Sequence, residues 1–191
     1  MEERTLWTED ARPPWLLPCD DCELRTQSPH LTWGEGHPEA PVWVLLDNPG
    51  ARVTSEGQSY VCGTRETLYR TTLRSGFLPN TLYLTFVIRC RPQRAYDKNS
   101  ERQLCLPNLF GQLDTYTPKI LVVLGDVALK RFTGNPFASI KERRQHWWCY
   151  GTIRVTSSYH PLAARRNPTV QASFEEDWHD ILEHYQGSCF G

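Results

Sequence analysis

Four short apolar runs, each closed by turn or breaker residues, divide the chain, and the segments between them carry helical spacing. Residues 42–46 (V-W-V-L-L) are uninterrupted and lie between Pro41 and the turn signal Asp47-Asn48-Pro49-Gly50, which predicts a buried strand ending in a tight loop. In residues 81–92 (T-L-Y-L-T-F-V-I-R-C-R-P), Leu82, Leu84, Phe86 and Ile88 alternate with Tyr83, Thr85 and Val87 until Pro92 stops the run. Both sets are apolar or β-prone, so this strand is expected to be central and to deliver Cys90 and a basic pair to its end. Residues 120–124 (I-L-V-V-L) give the clearest buried strand, and residues 152–157 a shorter one that enters Ser158-Tyr159-His160-Pro161.

Between these runs, residues 64–77 read as a helix with Leu68, Thr72 and Leu73 on one face and Gly76 near its end. Residues 91–100 read as a polar loop, and residues 101–116 as a helix carrying Leu104, Cys105, Leu109 and Leu113. Gly125-Asp126 opens a further helix to about Phe132. Over residues 170–185, Val170, Phe174, Trp178, Ile181, Leu182 and Tyr185 recur at helical spacing, and the opposite face is acidic and is expected to turn away from any nucleic acid. Strands alternating with helices predict an α/β fold with a mostly parallel sheet covered on both faces. In such folds ligands bind outside the carboxyl ends of the strands, where the 47–50, 89–92 and 158–161 loops would lie.

The totals narrow the class. At 191 residues the chain is expected to form a single domain over 1–191, with an irregular N-terminal segment over about 1–41. No run is long enough for a transmembrane helix, and Met1-Glu2-Glu3 does not open a signal peptide, so a soluble cytoplasmic protein without a membrane partner is expected. Seven cysteines, an odd number in a reducing compartment, argue against a disulfide framework and for metal ligation or burial. The net charge of −1 conceals segregation: residues 1–57 sum to −7, residues 58–166 to +11 and residues 167–191 to −5. A basic middle suggests a polyanion-binding face, and an arginine-rich solvated surface is the plain alternative.

Cys19-Asp20-Asp21-Cys22 can bring two thiolates onto one metal or cluster, or serve as a redox pair. With Cys90 and Cys105 it makes four cysteines whose spacing suits zinc as well as an iron–sulfur cluster. Six further segments follow that C-x-x-C: Leu46-Asp47-Asn48-Pro49-Gly50, Gly57-Gln58-Ser59-Tyr60-Val61-Cys62, the 85–92 segment T-F-V-I-R-C-R-P, Cys105, Leu124-Gly125, and the 160–168 segment H-P-L-A-A-R-R-N-P. In this order and spacing they resemble the family-4, iron–sulfur uracil-DNA glycosylases, over about residues 15–185.

The resemblance implies a three-layer α/β/α fold around a four-stranded sheet, a monomeric protein, and DNA, single- or double-stranded, as its partner, with no membrane. It implies Cys19, Cys22, Cys90 and Cys105 as ligands of a structural 4Fe–4S cluster, zinc being the less favoured metal, and leaves Cys62, Cys149 and Cys189 as non-ligands. His160 becomes the donor to the departing base, and Asn48, helped by Asp47, holds the attacking water. Tyr60 would stack on the flipped base, with Gly50 and Phe86 completing its pocket. Arg165 and Arg166, with Lys141, Arg143 and Arg144, would meet DNA phosphates. The family carries an amide-bearing asparagine where Phe86 stands, and Phe86 can neither donate nor accept. The implied activity is monofunctional excision of a deaminated or modified base; a DNA-binding iron–sulfur protein with weak or no excision is the second expectation.

Overall fold

In a computed structural model, the structure describes residues 7–11, 13, 22–28, 30–52 and 61–187. Strands β1 (Glu35–Gly36), β2 (Val42–Leu46), β3 (Leu82–Phe86), β4 (Ile120–Leu124), β5 (Trp148–Tyr150) and β6 (Ile153–Ser158) form one sheet in the order β1-β3-β2-β4-β6-β5. The helices are α1 (Glu23–Gln27), α2 (Gly63–Ser75), α3 (Lys98–Tyr116), α4 (Asp126–Thr133), α5 (Ile140–Arg143), α6 (Pro161–Arg166) and α7 (Pro168–Gly187). The four inner strands β3, β2, β4 and β6 run parallel, as expected. The sheet is nevertheless mixed and six-stranded, because β1 and β5 add an antiparallel strand at each edge.

Every residue of β2, β3 and β4 is buried, which requires cover on both faces. Successive side chains point to opposite faces and so build two cores. Trp43, Leu45, Tyr83, Leu121 and Val123 join Leu109 and Leu113 of α3 and Leu129 of α4 on one side. Val44, Leu46, Leu84, Phe86, Val122 and Leu124 join Leu68 of α2 and Phe174, Trp178 and Ile181 of α7 on the other. Helices therefore cover both faces, giving the three α/β/α layers. No described helix is long and apolar enough to cross a membrane.

Three elements differ from the sequence reading. The 81–92 strand ends at Phe86, although Val87 and Ile88 still donate to the carbonyls of Leu46 and Asp47 at 2.9 Å each and Cys90 bridges to Leu31. Helix α3 begins at Lys98, within the expected polar loop, because Asp97 accepts from the backbone N–H groups of Asn99 and Ser100 and caps it. On α2 and α3, Leu73 and Leu104 point to solvent, while Leu68, Thr72, Cys105 and Leu109 are buried.

Part of the basic middle section is spent on contacts within the fold. Arg89 is fully buried, donates to the Trp33 carbonyl, Thr85 Oγ1 and Gln112 Oε1, and lies 4.6 Å over the Trp33 ring. Arg144 bridges Glu176 at 2.6 Å and Asp177 at 2.7 Å on α7, so part of that helix's acidic face packs inward against α5.

Candidate active site

The carboxyl ends of the parallel strands bring the loops after β2, β4 and β6 to one edge. A cavity of about 190 Å³ opens there, with Leu46, Leu84, Phe86 and Leu162 as apolar walls and Asn48, Gly50 and His160 among its other lining groups. Gly125, at φ 88° after β4, makes the close approach possible: a Cβ at that position would stand 3.0 Å from His160 Cβ. Gly50 is constrained by space rather than by backbone angle, since a Cβ there would lie 2.6 Å from Cys62 Sγ.

His160 caps the N-terminus of α6, its Nδ1 accepting from the Leu162 backbone N–H at 3.1 Å. An Nδ1 that accepts carries no proton, so Nε2 bears the hydrogen of the neutral ring. Burial pushes the His160 pKa down, and the nearby Asp47 charge opposes this only in part. The result is a neutral imidazole beside Asn48, with one N–H donor left for the cavity.

The loop carrying Asn48 is held from two sides. Arg102 of α3 grips Asp47 through both carboxylate oxygens, Nε to Oδ1 at 2.7 Å and Nη2 to Oδ2 at 2.6 Å. Asp47 does not line the cavity, and its carboxylate anchors the loop to α3. On the other side, Arg65 of α2 donates from Nε and Nη2 to the two oxygens of the fully buried Glu35, at 2.6 Å each. It also donates to the Ala51 carbonyl at 2.6 Å and the Gly50 carbonyl at 3.2 Å. Burial disfavours the Arg65 charge, but the hydrogen bonds and charge of Glu35 raise its pKa overall.

A family model described as the uracil DNA glycosylase superfamily matches residues 33–182. The chain belongs to that superfamily. Its sequence is 32% identical over 178 residues to the type-4 uracil-DNA glycosylase of Sulfurisphaera tokodaii, covering 88% of this chain and 80% of the relative. The type-4 uracil-DNA glycosylases of Pyrobaculum aerophilum and Archaeoglobus fulgidus are each 25% identical, over 83% and 88% of this chain and 85% and 88% of their own lengths.

Within this superfamily member the remaining predicted site residues fall into three groups. Cys22, Cys90 and Cys105 come from separate elements and are buried in one hydrophobic cluster. Cys22 Sγ donates to Glu101 Oε2 at 2.5 Å, one turn before Cys105 on α3, so Cys22 meets the face of α3 that carries Cys105. Burial, reinforced by the Glu101 hydrogen bond, pushes the Cys22 thiol up to about 12, and a metal bound there must displace that proton. Thiols of this kind suit an iron–sulfur or zinc site in donor chemistry. Among the described residues no group of three His, Cys, Asp or Glu side chains is arranged to hold an ion. Cys19, the fourth candidate, and Tyr60, the candidate stacking residue, lie outside the described residues.

Of the cationic candidates, Lys141 and Arg143 are exposed on α5, and Arg165 and Arg166 are exposed in the last turn of α6. Ala164, beside them, is fully buried, so it offers no apolar wedge to a duplex. Arg144 is committed to Glu176 and Asp177 and is withdrawn from a phosphate-binding role by that pairing.

Sequence reasoning missed Glu35, Arg65 and Arg102. A signal existed for two of them. Arg65 shares the buried stripe of α2 with Leu68 and Thr72, and Arg102 that of α3 with Cys105 and Leu109, so each places a charge on a core-facing helical stripe.

Proposed function

We propose that this protein is a monofunctional DNA N-glycosylase that flips a deaminated base, uracil foremost, into the cavity and hydrolyses its glycosidic bond to leave an abasic site. The observation that carries this reading is His160: a half-buried, neutral imidazole whose Nδ1 is occupied by Leu162 and whose Nε2–H remains for the cavity shared with Asn48. Cleavage builds negative charge on the departing base and positive charge on the sugar, and a fixed donor beside the base oxygen acts where that charge appears. Asn48 Oδ1 is the acceptor available to orient a water, because its Nδ2 already donates to the Pro49 carbonyl at 3.1 Å. Asp47 and Arg102 hold that loop on α3, and Phe86 forms an apolar wall, with Tyr60 assigned to stacking. The names of the relatives, all type-4 uracil-DNA glycosylases, support the same chemistry.

Cys19, Cys22, Cys90 and Cys105 are assigned to a structural 4Fe–4S cluster, which when bound ties the N-terminal segment to α3. Lys141, Arg143, Arg165 and Arg166 are assigned to phosphates, which makes binding weaken with salt.

Oligonucleotides bearing uracil, hypoxanthine or xanthine, incubated with the protein and then treated with alkali, test the reading. Strand breaks at the modified position, appearing only after alkali, are expected. A second reading is favoured by Phe86, which removes hydrogen bonding from one wall: salt-sensitive DNA binding with no abasic product on any base would support a binding protein in place of an enzyme.

The pH profile follows from His160. The neutral ring is the active donor, and its folded pKa lies below the ordinary 6.5. The acid limb of the single-turnover rate is therefore expected below pH 6.5, with full activity above it. The stability gained by keeping the ring neutral is likewise present above 6.5 and is lost as pH falls below it. A limb at or above 6.5 would assign the titration to another group.

A further inference from the structure

Phe86 gives its side of the cavity no hydrogen-bonding group, so a flipped base must be read by the polar part of the lining. Six polar side chains line the cavity: Glu35, Asn48, Cys62, Thr64, Arg65 and His160. Their commitments differ. Arg65 uses all five of its N–H donors, on Glu35 twice, on the carbonyls of Gly50 and Ala51, and on Cys62 Sγ at 3.6 Å. Glu35 receives Arg65 on both oxygens and also has Arg52 Nη1 at 3.1 Å from Oε2. Asn48 and His160 are assigned to water and to the base oxygen beside the glycosidic bond, and Cys62 offers only a weak S–H donor.

Thr64 is different. Its half-buried side chain stands at the second position of α2, and among the described residues its hydroxyl makes no hydrogen bond. The adjoining Arg65, pinned to Glu35, anchors the start of the helix that carries Thr64.

Resting on the glycosylase reading above, we propose that Thr64 is the specificity-determining residue of this pocket, its hydroxyl donating to a keto oxygen on the far edge of the base. Uracil carries two ring carbonyls. His160 takes the 2-carbonyl, next to the glycosidic nitrogen, and Thr64 the 4-carbonyl. The substrate class is thus the deaminated, keto-edged bases. A hydroxyl rotates and can accept as well as donate, so it discriminates less sharply than the fixed, two-point contact of an amide.

The test compares single-turnover release of uracil and of 2-pyrimidinone, a ring that lacks the 4-carbonyl and with it the N3 hydrogen, by the wild-type protein, Thr64→Val and Thr64→Ser. Thr64→Val preserves shape and removes the hydroxyl, and it should slow uracil release about tenfold or more. The same change should leave 2-pyrimidinone release within about twofold of wild type, and Thr64→Ser should restore uracil release. An unchanged uracil rate in Thr64→Val, or equal losses on both bases, would overturn the assignment of Thr64 while leaving the glycosylase reading intact. A wild-type protein that releases neither base would overturn that reading itself, and the assignment with it.

Discussion

His160→Ala should lower the single-turnover rate of base release about 10²- to 10³-fold, the loss typical of removing one preorganised donor to a developing anion. Part of any effect of this change is structural, because His160 Nδ1 also caps α6 through Leu162. Losing a cap costs about 1 kcal/mol, too little to unfold a domain of ordinary stability. His160→Asn separates the two roles: its side-chain oxygen can keep the cap, while its shorter amide does not reach as far into the cavity. Near-wild-type melting temperature with a rate close to that of His160→Ala is the expected result. Full activity in either variant would remove His160 from the chemistry.

The second large effect concerns stability. Arg65→Met should destabilise the protein by about 3–5 kcal/mol, because it strands the carboxylate of Glu35, which has no solvent exposure, and frees the carbonyls of Gly50 and Ala51. Arg52, with Nη1 3.1 Å from Glu35, offsets part of that charge and places the expectation toward the lower end. Replacing both partners, Glu35→Leu with Arg65→Met, should recover much of the loss, since an apolar pair of similar volume avoids the buried charge. Denaturant midpoints measure both. An Arg65→Met variant as stable as wild type would show that the pair is dispensable, and with it the support assigned to the 50–51 loop.

These two residues also mark how far the sequence could be read. Strands β2 and β4 coincide with their apolar runs because a strand buried on both faces is written as an unbroken run, and α7 shows its buried stripe in the same direct way. Edge strands β1 and β5 left no such trace: one has two residues, and the other, Trp-Cys-Tyr, is only partly buried and is defined by its hairpin with β6. At the site, turn signals at strand ends placed Asn48 and His160 on the ligand edge, and their expected roles came only from the resemblance.

Charges resisted that treatment. A count gives every arginine equal weight, but Arg89 is buried in the core, Arg144 is paired with α7, and Arg65 and Arg102 anchor the Asn48 loop. Only tertiary pairing distinguishes these from the exposed Arg165 and Arg166. Asp47 shows the same limit, since its turn position was evident and its grip by Arg102, 55 residues away, was not.

The proposed reaction is hydrolysis of an N-glycosidic bond in the cavity of Asn48, Phe86 and His160. Mass spectrometry of a stoichiometric reaction between the wild-type protein and a uracil-containing oligonucleotide measures it directly, by quantifying free base, abasic strand and any protein–DNA adduct over time. Free uracil and intact abasic strand are expected in equal amounts and at equal rates, with no adduct and no strand break before alkali. Recovery of unreacted uracil-containing strand under saturated binding, or its conversion to a covalent adduct, would contradict the proposed reaction.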